Sequence, residues 1–113
     1  VIPLIAITAV LALWFGLLGV GKVLGTSAMA ERAAHVGFRI GTYRVIGILE
    51  VAGVIGLFIG WAVTGIGVAA AAGFLLLLAG AALAHLRAGD RWPAIAPAII
   101  TAALVAAYLV ILL

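Results

Sequence analysis

Apolar residues fall into four runs, each near the length of a bilayer, separated by three more polar breaks. A helix needs about 20 mostly apolar residues to cross the hydrocarbon core. Residues 2–24, 43–61, 66–86 and 94–113 meet that length. Residues 25–42 form a polar connection, "AVTGIG" a short uncharged turn, and "RAGDRWP" a charged turn closed by Pro93, a residue suited to the first turn of a helix. Backbone polar groups in lipid need partners inside their own segment, so the runs predict helices. The predicted fold is an all-α membrane protein: a single domain, residues 1–113, built as a four-transmembrane-helix bundle.

The first connection has a pattern of its own. In "SAMAERAAHVG", Ser27 is placed to cap a short helix and Gly37 to end it. Glu31, Arg32 and His35 share one face at three- and four-residue spacing, while Met29, Ala33 and Val36 make another. This predicts a short amphipathic helix lying on the membrane surface between spans one and two.

Composition agrees with the pattern and narrows the chemistry. Hydrophobic residues make up 69% of the 113 and charged residues 8%, against roughly a quarter charged in soluble domains. The first apolar run continues past signal length and ends in Lys22, the mark of a retained span rather than a cleaved leader. With no cysteine, disulfide exchange and thiolate metal sites are excluded, so a redox role requires a bound cofactor, a quinone or a partner.

The net charge of +3 bears on topology, not on nucleic acid. Lys22, Arg32, Arg39 and Arg44 flank or occupy the first connection, and Arg87 and Arg91 the third. These two connections share a side in a four-span protein. The positive-inside rule therefore predicts charged loops in the cytoplasm and both termini outside. Trp61 is expected near the outer interface, Tyr43 and Trp92 at the inner one, and Trp14 lining the bundle. Glycines at four-residue spacing, Gly21 with Gly25 and Gly56 with Gly60, predict close helix contact.

Glu50 is the one charge that lies well inside a span, away from the connections. A carboxylate in hydrocarbon costs roughly 2.5 to 3.5 kcal/mol on the mildest scale, so it needs either a partner or a purpose. It lies seven residues past Tyr43, about 10 Å below the inner surface at helical rise. Lys22 and His85 approach that surface from spans one and three, with Arg44 and Arg87 just beyond. The expectation is a polar cluster of Glu50, Lys22, His85 and Arg44, serving either as an ion-paired lock or as a ligand- or proton-binding site. A metal held by Glu50, His35 and His85 is a weaker alternative, and no metal site is expected, since no two histidines share a ligand spacing.

"WFGLLGVGKVLG", "YRVIGILEVAGVIGLFIG" and "FLLLLAGAALAHLRAGD" together resemble the DoxX-like family of small four-helix integral membrane proteins. The marks are Lys22 after its glycines, Arg44 with Gly47 and Glu50, and His85 with Arg87. That resemblance implies a bundle in the bacterial plasma membrane, associated with redox systems. The family is named for a membrane subunit of thiosulfate:quinone oxidoreduction, and actinobacterial relatives join a superoxide dismutase and a sulfurtransferase; animal relatives are receptor chaperones. The implied role is an accessory or anchoring subunit of a quinone-linked complex, with a protein partner or homo-oligomer, a quinone as the candidate ligand and no intrinsic cofactor. Two alternatives stay open. One is a proton-coupled transporter like the small multidrug exporters, although those carry glutamate in the first span, where this chain has Lys22. The other is an enzyme using Glu50 and His85 as acid and base on a quinone-like substrate.

Overall fold

A computed structural model describes all 113 residues. Four long helices are present: α1 (Ile2–Leu24), α3 (Ile40–Ile59), α4 (Thr64–Arg87) and α5 (Trp92–Leu112), with a short α2 (Ser27–His35) between the first two. Each long helix is apolar and long enough to cross a membrane. The spans lie within three residues of the expected limits. The largest shift is at α3, which starts at Ile40 because Arg39 is extended and the helix forms directly after it.

α1 packs on α3 and α5, and α4 packs on the same two, so the spans close into a ring in the order α1, α3, α4, α5. Phe15 of α1 and Phe74 of α4 stack across its centre, centroids 3.9 Å apart and planes 17° from parallel. Leu11, Leu57, Ala71, Leu78, Val105 and Tyr108 pack with them as the buried core. Gly53 faces Phe74 directly: a Cβ there would lie 2.5 Å from the ring. Near the uncharged end, Gly60 and Gly67 bring α3 and α4 into backbone contact. Small residues thus set the helix spacing, as expected where lipid supplies no hydrophobic drive.

Only 22% of the most apolar stretch of each span is buried inside the protein. Exposed side chains such as Leu17, Leu76, Ile100 and Val110 face outward and are matched to lipid tails. Trp14 belongs with this outer set at 45% exposed, so it does not line the bundle. The central place on α1 is taken by Phe15, one position on.

Hydroxyls inside the spans bond to carbonyls or other side chains. Tyr108 Oη donates to Leu57 O at 2.7 Å, Thr101 Oγ1 to Pro97 O at 2.6 Å and Thr8 Oγ1 to Leu4 O at 2.7 Å. Trp61 Nε1 donates to Thr8 Oγ1 at 3.1 Å, tying the α3–α4 turn to α1.

At the charged end, three helices close in the same way. Gly25, Gly37 and Gly89 have φ of 65°, 80° and 79°. The following residues Thr26, Phe38 and Asp90 return their N–H groups to Gly21, Ala33 and His85 O. This is the Schellman closure, which satisfies carbonyls left open at a helix end. Gly37 ends α2 as the sequence predicts. The cap at its start is Thr26 rather than Ser27: Thr26 is the residue with non-helical backbone, and its Oγ1 accepts from Met29 N at 3.3 Å. Met29 and Ala33 are the buried face of α2.

Candidate functional site

The functional side chains at the charged end form two groups. The first sits where α1 crosses α3. A Cβ on Gly47 would meet Gly19 O at 2.6 Å, Lys22 Cβ at 2.7 Å and Val23 N at 2.9 Å, so the missing side chain is what allows this approach. One turn deeper, Lys22 Nζ donates to Glu50 Oε1 at 2.5 Å. The Glu50 side chain is 4% exposed and that of Lys22 13%. The ammonium also lies 4.9 Å from the Tyr43 ring centroid, within cation–π range. Lys22 occupies the last turn of α1, where the helix dipole favours a cation. Arg44 lies against the same helix end, with its Nη2 2.7 Å from where a Gly25 Cβ would be, but it is exposed and stays at the membrane surface.

The second group is built by the turn after α4. With Gly89 left-handed, Asp90 N bonds to His85 O at 2.9 Å and Gly89 N to Leu86 O at 3.1 Å. That closure folds the Asp90 side chain back over His85, the usual pairing of side chains across a Schellman turn. Asp90 Oδ2 lies 2.6 Å from His85 Nδ1. From the end of α2, His35 Nε2 approaches both Asp90 oxygens at 2.8 Å. An ionised carboxylate only accepts, so each imidazole presents an N–H to it. Hydrogen bonds from His85 and, second, from His35 hold the Asp90 carboxyl below its ordinary pKa. The carboxylate bridges α2 to the α4–α5 turn and places the first and third connections on one face.

A profile of the DoxX-like family matches residues 6–108. The chain belongs to the DoxX-like family. None of the curated proteins and none of the solved structures compared with it matches.

In this DoxX-like chain the four expected site residues are divided. Lys22 and Glu50 meet as a buried pair, with Arg44 just beyond Lys22 on the surface. His85 does not hydrogen-bond to them; it turns to Asp90. Two pairings were missed from the sequence, that of Asp90 with His85 and that of His35 with Asp90. The first had a readable signal. "HLRAGD" places glycine where a helix ends and an acid one residue later, so residues five apart, which share no helical face, are brought together by the turn. For His35 there was no local signal, since Asp90 is 55 positions away.

Proposed function

We propose that this DoxX-like protein is an accessory or anchoring subunit of a quinone-linked redox complex in the bacterial plasma membrane. Its charged face is cytoplasmic and both termini are outside. The observation that carries this reading is the sealed Lys22–Glu50 pair. A carboxylate that ferries protons or carries out acid–base chemistry must exchange partners. Glu50 instead holds an ammonium at the tightest part of the α1–α3 crossing, an arrangement suited to fixing the register of a scaffold.

Family membership supports the redox setting, through the association that the resemblance implies. With no cysteine in the chain, the reading leaves electron carriage to a bound cofactor, a quinone or a partner. For a quinone tail, the lipid-facing groove of about 410 Å³ between α1 and α3 offers a seat lined only by apolar side chains. Among them are Val23 and Val51, sequence neighbours of Lys22 and Glu50. Orientation rests on the positive-inside rule, with five arginines in or beside the two connections that share a face.

Native mass spectrometry of the protein extracted from its own membrane in mild detergent tests this reading. Stoichiometric oxidoreductase subunits, with or without a retained quinone, are expected. A lone chain or homo-oligomer would sink it. Proton-coupled uptake of lipophilic cations into vesicles, abolished by Glu50→Gln, would replace it with the transporter.

A further inference from the structure

We propose that His35, His85 and Asp90 form a binding site for one divalent first-row transition-metal ion of the zinc type, with at least one coordination position left to water. The proposal is independent of the redox reading, since it rests on a different group of residues.

Donor chemistry comes first. Two imidazoles and one carboxylate, without thiolate, suit zinc and its neighbours in the first row better than magnesium or calcium, which favour all-oxygen shells. Three protein ligands plus an open position is the arrangement of zinc sites that keep a bound water.

Geometry is the second support. One ligand atom from each residue lies within 4.8 Å of the other two. Tetrahedral bonds of about 2.0–2.1 Å place ligand atoms about 3.3 Å apart. His35 Nε2 and His85 Nδ1 stand 2.8 and 2.6 Å from Asp90 oxygens, so to admit an ion each imidazole backs slightly away from the carboxylate, with the two nitrogens within 4.8 Å of each other. Each imidazole then turns to its other neutral tautomer, keeping its proton on the nitrogen away from the metal. The two rings stand with centroids 6.4 Å apart and planes tilted by 48°, so they are not stacked on each other.

Placement is the third. His85 is anchored in the last turn of α4, and Asp90 is fixed by the Schellman closure. His35 ends α2, which packs on α1 and α3. An ion would therefore staple the surface helix to the second hairpin through side chains alone. His35 is 56% exposed, which gives the ion a route from water.

The test uses the full chain without a histidine tag, in lipid nanodiscs. Co²⁺ is titrated while visible absorption is followed, and Zn²⁺ is used to displace it. Expected are one Co²⁺ per chain, a ligand-field spectrum of low coordination number, displacement by Zn²⁺, and affinity reduced at least about tenfold in each of His35→Ala, His85→Ala and Asp90→Asn. His35→Ala alters an exposed side chain at a helix end, so its fold is preserved even where Asp90→Asn loosens the turn. Zn²⁺ should also slow amide exchange in α2 of the native chain and not of His35→Ala. Absence of saturable binding, or equal binding by native chain and variants, would overturn the site and leave a hydrogen-bonded clasp.

Discussion

Lys22 of α1 and Glu50 of α3 meet at 2.5 Å, with the glutamate side chain 4% exposed. Neither charge reaches water freely, so each depends on the other. Replacing one partner, as in Lys22→Met or Glu50→Gln, leaves the pair broken, and the loss is expected to be about 3 kcal/mol for Lys22→Met, where a buried carboxylate is stranded. The double variant Lys22→Met/Glu50→Gln should recover much of that. A double-mutant cycle of unfolding in bicelles checks this; additive losses would show that the pair has no coupling.

Gly47 and Gly80 should respond in opposite ways to alanine. At Gly47 the new methyl meets backbone on α1, so Gly47→Ala must part α1 and α3, with a loss of about 2 kcal/mol. A Cβ on Gly80 has nothing within 4 Å, so Gly80→Ala should be neutral or stabilising by up to about 1 kcal/mol. Thermal unfolding of the two variants side by side distinguishes them, and equal effects would contradict the packing.

Gly89 lies at φ 79°, a region where an L side chain is strained. Gly89→Ala should destabilise the turn by about 1 kcal/mol and release Asp90 from His85. Solid-state NMR of the His85 ring nitrogens reads this directly. An unchanged His85 Nδ1 shift would mean that the turn does not position Asp90.

Tyr108 is fully buried, and its hydroxyl reaches Leu57 O near the end of α3. Tyr108→Phe keeps the ring and removes the donor, so about 1 kcal/mol should be lost. Faster amide exchange is expected around residues 57–61, with the charged end unaffected. Exchange that rose equally at both ends would argue against a local role.

The four spans and the Lys22–Glu50 pair were legible in the sequence because their physics is additive or nearly local. Span length follows from summed hydropathy, and a lone acid in an apolar run directs attention to the cation at the same depth. His85 was grouped with Lys22 and Glu50 by the same reasoning, whereas its hydrogen bond goes to Asp90. Depth placed it level with Lys22, but its side chain follows a turn whose closure depends on one left-handed glycine. Trp14 and Phe15 show the other limit. Both are aromatic neighbours in an apolar helix with little amphipathic signal, and only packing decides that Phe15 stacks on Phe74 while Trp14 meets lipid. Thr8 and Tyr108 were unread for a related reason, since hydroxyl partners across the bundle leave no periodic trace.

The Lys22–Glu50 pair also bears on how the chain enters the membrane during synthesis. Lys22 is translated 28 residues ahead of Glu50, so the cation is already at the membrane boundary when the acid arrives. The second span then carries a charge whose penalty is relieved only by the first, and the two are expected to leave the translocon as one hairpin. In a glycosylation-based insertion assay, residues 40–59 should insert more completely behind native α1 than behind α1 carrying Lys22→Met. The nascent chain itself would thus exert the earliest selection on the pair, before any partner subunit is present.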